Sequence, residues 1–303
     1  MYTVHGMDFI NTFLGFHNIT RFTTPEHASR VTFWYYFPVI ILGMFPWTGI
    51  LFQSIKASIS DSRIDEMRTL MFMHVWWVFV LLFFTICKTK LVSYILPMFP
   101  ALAIIIGWNI SRMVAKLRYN TTFYSWIVGS GIMFTVLGIG WVIGGQQLPE
   151  LEFSGLILGG LTFVLGFAAL FTLWYYRDVE MASWIHVATG ATIMVVAFAF
   201  MMPMIEDRFS VKNISQVYRQ ECNQSSEIYV DKFLRPGFMY YAGKPGVEML
   251  PKTDAFAKAL RKEEHKYFLV RGLEYRRLLK MQAKPEGLHT ISEIGDIYLL
   301  EQK

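Results

Sequence analysis

The chain has 303 residues, of which 54% are apolar and 17% are charged, and its formal net charge at pH 7 is +5. One water-soluble core of this length cannot normally hide so much apolar surface, so the composition argues against a wholly soluble protein and indicates a membrane protein. No nucleic-acid partner is expected, because the basic residues form no run with interleaved aromatic side chains.

The distribution of the charged residues indicates that one part of the chain lies in lipid and another part in water. After residue 205 there are 17 of the 28 Lys and Arg residues and 14 of the 23 Asp and Glu residues. The sequence therefore predicts three parts: an external membrane-surface segment over 1–30, a transmembrane domain of six helices over 31–205, and an external soluble α/β domain over 206–303.

The transmembrane domain is predicted from apolar stretches of about 20 residues, the length that crosses the hydrocarbon core of a bilayer. Such stretches cover residues 32–54, 69–87, 91–110, 123–144, 153–176 and 181–204. The lipid bilayer is thus the first expected partner. Trp34, Tyr35 and Tyr36 lie near the start of the first stretch, where interfacial anchors are expected.

Orientation follows from the basic residues of the short loops, since these favour the cytoplasmic side. One set of loops carries seven Lys or Arg residues and the other set four. The amino-terminal segment, the loop at 88–90 and the soluble domain are therefore expected to face outward. Because no signal precedes this outward segment, the chain is expected to correspond to the later half of something longer.

The soluble domain shows short alternating strand-like and helix-like pieces without a glycine-rich phosphate loop. Strands are predicted near 228–233, 237–242, 266–271 and 297–300, and helices near 211–222, 254–264 and 273–281.

A first candidate site lies in the amino-terminal segment, where His17, Arg21, Glu26 and His27 precede the first apolar stretch. A guanidinium can grip a phosphate with two hydrogen bonds, and imidazoles with a carboxylate can hold a divalent cation. The alternative is an amphipathic segment whose polar groups merely face water.

A second candidate site is the turn that carries Lys88 and Lys90 between two membrane helices. A lysine is costly at the bilayer centre, so both must lie at the surface. Their place on the predicted outer side suggests an anionic ligand such as a lipid phosphate. The alternative is a pair of anchors that extend toward the headgroups.

Within the apolar stretches, His74 and His186 are the notable polar residues. Either could line a polar cavity, although a hydrogen-bonded packing role is the more ordinary one. The sequence shows no Ser/His/Asp set and no carboxylate in a membrane-surface context typical of catalysis. The catalytic residue is therefore unknown from the sequence.

Several motifs taken together resemble those of one family. They are HNITRF at 17–22, WYYFP at 34–38, Gly43 with Pro46-Trp47, KTKL at 88–91, YILP at 94–97, and RPGFMYY at 235–241. With these, the chain resembles the carboxy-terminal half of bacterial polyprenyl-phosphate-dependent glycosyltransferases, the lipid A aminoarabinose transferases and protein mannosyltransferases of the GT-C fold.

The resemblance implies an enzyme of the bacterial inner membrane that moves a sugar from a polyprenyl phosphate to a lipid A-like, other glycolipid or protein acceptor at the outer face. It implies that Lys88, Lys90 and Arg21 bind the carrier phosphate and that Tyr94 and Tyr35 contact substrate or acceptor. His17 and His27 would hold a divalent metal ion. The catalytic carboxylate would lie in a missing amino-terminal half, the expected protein partner.

A rival interpretation is a noncatalytic membrane subunit that binds a lipid-linked sugar or partners another membrane enzyme. A transporter is less favoured, because the apolar stretches lack the paired intramembrane charges and broken repeats typical of ion pathways.

Overall fold

The computed structural model describes residues 6–7, 33–60, 64–115, 121–250, 255–260, 265–280 and 287–302. The chain divides into two compact units, Met1–Val196 and Ala197–Lys303. This division falls inside the last apolar helix, whereas the sequence placed the domain boundary after residue 205. The boundaries predicted for the three parts of the chain, at residues 30 and 205, therefore stay predictions.

The first unit is helical. Its α-helices are α1 (Tyr36–Gly43), α2 (Thr48–Ser60), α3 (Ile64–Ile86), α4 (Phe99–Val114), α5 (Thr121–Gln146), α6 (Glu152–Phe171) and α7 (Val179–Val195). Short 3-10 helices cover Phe33–Tyr35, Val92–Met98 and Pro149–Leu151, and π-helical turns cover Thr172–Tyr176 and Val196–Met201.

Among the residues that the structure describes, five helical spans are long and apolar enough to cross a membrane, and they begin at residues 66, 92, 123, 149 and 179. A sixth is counted if the pair Phe33–Gly43 and Thr48–Ser60, bent by 106°, is one broken span. Large apolar side chains such as Phe167 and Trp184 are exposed along these helices, as a lipid-facing surface requires. The predicted class, a polytopic α-helical membrane protein with a small α/β domain, is confirmed.

The first predicted span is wrong as a continuous helix. Residues 32–54 contain the bend, which falls between Gly43 and Thr48. Pro46 has no backbone N–H to continue a helical ladder, and the Thr48 hydroxyl donates to the Ile41 carbonyl oxygen at 2.6 Å. The break was not predicted, because the average hydropathy of a stretch does not show where a helix bends.

Close helix contacts in the first unit depend on glycine. A Cβ atom on Gly49 of α2 would lie 2.3 Å from the backbone nitrogen of Ser130 in α5, and one on Gly155 of α6 would lie 2.6 Å from the Trp141 carbonyl oxygen of α5. Only glycine permits backbones to approach this closely. The buried core between the helices includes Ile50, Leu102, Trp126 and Leu173.

The second unit begins with α8 (Met202–Phe209) and α9 (Lys212–Glu221) and then forms a mixed sheet. Its strands are β1 (Glu227–Asp231), β2 (Val247–Met249), β3 (Lys266–Arg271), β4 (Leu288–Ile294) and β5 (Ile297–Gln302), and its further helices are α10 (Arg235–Ala242), α11 (Ala255–Leu260) and α12 (Gly272–Lys280). The strand order is β2-β1-β3-β5-β4, with β1 parallel to both β2 and β3 and with β5 antiparallel to β3 and β4.

Alternate residues of the central strands enter two cores. Ile228, Val230 and Leu269 pack on one face with residues of α9 and α10, and Tyr229 and Phe268 pack on the other face with residues of α11. A sheet covered on both faces explains why its central strands are continuously apolar.

The predicted strand over residues 237–242 is wrong, because these residues lie in α10. Its aromatic run suggested a strand, but Pro236 suits the first turn of a helix and Gly243, with φ of 72°, suits its end. Phe238, four residues after buried Leu234, supplies the buried face of this helix. Strands β2 and β4 were not predicted.

Candidate functional site

The predicted site residues fall into two groups. Arg21, His17 and His27 lie outside the described residues, so their roles stay predictions. Lys88, Lys90, Tyr94 and Tyr35 are all described and all belong to the first unit.

The connector between α3 and the 3-10 helix Val92–Met98 carries both lysines. It is five residues long, from buried Cys87 to exposed Leu91. A short connector with a buried first residue fixes the backbone at the end of α3. The lysine side chains at its centre therefore have different surroundings although they are only two residues apart.

Lys90 binds the carboxyl end of α3. Its ammonium donates to the carbonyl oxygens of Cys87 at 2.8 Å, of Phe84 at 3.4 Å, and of Thr85. The last carbonyls of a helix have no partners within the helix and carry its negative dipole end, so a cation here is favourable. Partial burial lowers the pKa of Lys90, and the neighbouring Cys87 opposes this effect. In this structure Lys90 is a helix cap.

Lys88 is different, because its side chain is exposed. Within the part of the chain that the structure describes, its ammonium makes no hydrogen bond or ion pair. An ammonium has donors for several phosphate oxygens and acts as a point charge. Of the two lysines, Lys88 is thus the one whose charge is available to a ligand.

An aromatic cluster, Tyr35, Tyr36, Phe84 and Tyr94, surrounds the anchored lysine. The Lys90 Nζ atom lies 5.9 Å from the centre of the Tyr36 ring. The Tyr35 and Tyr36 rings meet edge to face at 5.1 Å, and the Tyr94 ring lies 5.0 Å from that of Phe84. Lys90 is thus connected to Tyr35 through Tyr36 and to Tyr94 through Phe84, and the roles of the two tyrosines stay predictions.

Tyr36 was missed as a site residue, since its sequence position predicted only an interfacial anchor. It is buried, with 1% of its surface exposed, and among the described residues its hydroxyl has only a contact with the Leu91 backbone that falls outside standard hydrogen-bond geometry. A buried hydroxyl that is incompletely satisfied can still bond to an incoming polar group. Its place in the WYYFP motif at 34–38 was the signal in the sequence that could have found it.

Both membrane histidines have packing roles. His186 is fully buried, its Nδ1–H donates to the Ala182 carbonyl oxygen at 2.8 Å, and its ring stacks on Trp47 at 5.1 Å. His74 bonds to the Ser58 hydroxyl at 2.8 Å and accepts from the Trp77 indole at 3.0 Å. Among the described residues, no group of three or more His, Cys, Asp or Glu side chains could hold a metal ion.

Comparison with known proteins finds similar arabinosyl transferases. No family model matches the chain. An undecaprenyl phosphate-alpha-4-amino-4-deoxy-L-arabinose arabinosyl transferase of Pectobacterium atrosepticum is 31% identical over 169 residues, which are 54% of this chain and 30% of that protein. A protein of the same name from Proteus mirabilis is 28% identical over 237 residues, 74% of this chain and 40% of the relative.

The fold comparison agrees. The crystal structure of ArnT from Cupriavidus metallidurans bound to undecaprenyl phosphate matches 99% of this chain and 57% of its own, with a TM-score of 0.67 and 16% identity. The chain resembles these arabinosyl transferases in sequence and in fold. The predicted resemblance is therefore confirmed, and the chain spans well under two thirds of the length of the proteins it matches.

Proposed function

We propose that this chain is part of a membrane glycosyltransferase that moves a sugar from a polyprenyl phosphate carrier to a lipid A-like, other glycolipid or protein acceptor at the outer face of the membrane. What carries the proposal is that its sequence relatives are named undecaprenyl phosphate-aminoarabinose arabinosyl transferases and that its fold matches a structure of ArnT bound to undecaprenyl phosphate.

The reaction of such an enzyme is a displacement at the anomeric carbon of the sugar. The bond from this carbon to the carrier phosphate breaks, a bond to the acceptor oxygen forms, and the acceptor proton passes to a base. Negative charge accumulates on the departing phosphate. A cation that meets this charge stabilises the transition state more than the ground state.

Lys88 supplies this cation in the proposal, with Arg21 as the second. The support is that Lys88 is exposed while Lys90 is held by carbonyl groups of α3 and by that of Cys87, the residue after it. Lys90 then acts by fixing the connector that presents Lys88. Tyr94 and Tyr35 contact the sugar or the acceptor beside this connector.

A base and a metal ion complete the proposed machinery. The resemblance puts the catalytic carboxylate in a region that is not among the residues of this chain, so transfer requires a further polypeptide segment. His17 and His27 are imidazoles of the kind that bind a divalent metal. Loss of activity on chelation, restored by a divalent ion, is the expected behaviour.

The proposed location is the bacterial inner membrane. The chain would cross it several times, with the soluble unit on the periplasmic or extracellular side. Labelling of a single cysteine introduced at exposed Lys258 with a membrane-impermeant reagent tests the side. Labelling in intact spheroplasts is expected, and labelling only after lysis would contradict the orientation.

A transfer assay tests the function. The chain is produced in membranes, alone and together with the product of any adjacent hydrophobic reading frame, and sugar transfer from a polyprenyl phosphate donor is measured. Lys88→Ala and Arg21→Ala are each expected to lower transfer about tenfold or more, because each removes a charge-assisted hydrogen bond. Lys56→Ala changes an exposed lysine of α2 and is the matched control.

The outcomes separate the interpretations. Equal transfer by the wild type, Lys88→Ala and Arg21→Ala would refute their role at the phosphate. Carrier binding without transfer, in the presence as well as the absence of the second product, would instead support the noncatalytic subunit.

A further inference from the structure

The soluble unit has a crevice at the carboxyl edge of its parallel strands. β1 and β3 are neighbours, but the chain leaves β1 through α10 to β2 on one side and leaves β3 through α12 to β4 on the other side. Two adjacent parallel strands with connections to opposite sides form a topological switch point. In open α/β sheets, ligands bind preferentially at such points.

Asp231, the last residue of β1, and Arg271, the last residue of β3, face each other there. Asp231 is 2% exposed, and its Oδ1 atom accepts from the Phe233 backbone N–H at 2.9 Å. Its Oδ2 atom accepts from Arg271 Nε at 2.9 Å. The buried carboxylate therefore fixes the guanidinium through one edge only.

The other edge of the Arg271 guanidinium is open. Its Cζ atom lies 4.5 Å from the centre of the exposed Phe233 ring, and 31% of its side chain is accessible. Within the described ranges, neither of its Nη groups makes a hydrogen bond. A guanidinium held by a carboxylate and supported by an aromatic face is pre-organised, so little further entropy is lost when it binds an anion.

Neighbouring charges leave this edge attractive to an anion. Lys232 is exposed next to the pair. Asp296 lies 2.9 Å from Arg276, so the charges of these two residues neutralise each other. Asp231 and Arg271 also cancel each other, and exposed Lys232 adds one positive charge next to them.

The same edge lies beside the end of an apolar helix. β5 begins next to Arg271, and Gly295 precedes it in the turn from β4. A Cβ atom on Gly295 would lie 2.2 Å from the Asp207 carbonyl oxygen of α8. α8 is the last part of the apolar span Val179–Phe209.

We propose that Arg271 forms an anion site for a phosphomonoester group at the carboxyl edge of β1 and β3, with Phe233 beside it to contact the organic part of the ligand. The two open Nη groups match two phosphate oxygens in the bidentate geometry that arginine favours. This site is separate from the Lys88 site, which lies in the other unit. Its phosphate belongs to a lipid headgroup or to a free anion.

Hydrogen exchange of the full chain tests the site locally. The purified protein is titrated with inorganic phosphate at constant ionic strength. In a second arm it is placed in phosphatidylcholine nanodiscs with or without phosphatidic acid. Peptides that cover residues 231–235 and 271–276 are followed by mass spectrometry. Slower exchange of these peptides is expected in at least one arm, and the arm that shows it identifies the source of the phosphate.

Variants then distinguish a binding site from a structural ion pair. Arg271→Lys keeps the charge beside Asp231 but loses the bidentate fork, so the phosphate concentration at half-protection is expected to rise about tenfold or more. Arg219→Lys alters an exposed arginine of the same unit and is expected to behave as wild type. Lys88→Ala is also expected to leave this protection unchanged, which separates the site from the proposed function.

Two results would overturn the proposal: no protection in either arm, or equal protection in wild type and Arg271→Lys. If Arg271→Lys lowers the melting temperature of the protein, Phe233→Ala decides in its place. It leaves the Asp231–Arg271 pair intact and removes the ring against which the guanidinium rests. A several-fold weaker response in Phe233→Ala supports the site, and an unchanged response refutes it.

Discussion

Replacing Lys90 by methionine should destabilise the first unit, whereas the same change at Lys88 should not. Lys90 donates hydrogen bonds to the carbonyl oxygens of Thr85 and Cys87, and a longer one at 3.4 Å to that of Phe84. Hydrogen bonds of a charged group contribute about 1.5–3 kcal/mol each, and ordering a lysine side chain costs about 2 kcal/mol. A net loss of about 2 kcal/mol is therefore expected for Lys90→Met.

Lys88 is exposed, so Lys88→Met should change the free energy of unfolding by less than about 0.5 kcal/mol. The assay is the melting temperature in detergent, followed by tryptophan fluorescence. At about 2–4 °C per kcal/mol, Lys90→Met should melt about 4–8 °C lower than the wild type. Equal shifts in the two variants, or a larger shift for Lys88→Met, would refute the assignment of Lys90 as the helix cap.

Three further predictions concern packing and titration. Gly49→Val should destabilise the first unit by about 2 kcal/mol or more, because its Cβ atom would lie 2.3 Å from a backbone nitrogen of α5. Gly107 has open space around it, so the control variant Gly107→Ala should have a melting temperature near that of the wild type. Burial raises the pKa of Cys222 to about 12, so its alkylation by iodoacetamide at pH 8 should be about a thousandfold slower in the folded protein than in urea, and similar rates would contradict the burial. A hydrogen bond to the Glu293 carboxylate, with burial as the lesser cause, raises the pKa of Tyr298 to about 12. The stability that this bond gives is present below the unfolded pKa of about 10 and is lost as the pH rises toward the folded pKa. Between pH 9 and pH 11, Tyr298→Phe should therefore lose less stability than the wild type. Equal losses of stability in the two proteins would contradict this role of Tyr298.

The comparison of the two lysines shows what a sequence pattern can predict about a site. The pattern indicated that Lys88 and Lys90 lie at the membrane surface and that an anionic ligand could engage them. It treated the two as equivalent. The two lysines differ because only the side chain of Lys90 lies beside the end of α3. Its position follows from the backbone path of the five connector residues, and the spacing of apolar residues does not predict that path.

The soluble unit gives a second example. Strand β3 was predicted with its observed bounds, because residues 266–271 are a short apolar run between charged segments. Residues 237–242 were assigned to a strand on their aromatic content, although they form α10. The proline and glycine at the ends of this segment were the more reliable signals, since they act through backbone geometry, whereas aromatic side chains suit any half-buried surface.

Composition and the spacing of apolar residues determined that this chain spans a membrane several times and ends in a separate α/β unit, because burial in lipid and burial in a small core demand different amounts of apolar surface. Short motifs in the sequence also led to the arabinosyl transferases that the chain resembles. Only the tertiary structure decided that the first apolar stretch is bent, that Lys90 caps a helix while Lys88 is exposed, and that Asp231 and Arg271 meet across two strands. These features depend on contacts between residues far apart along the chain, and local sequence does not specify which distant partner each residue meets.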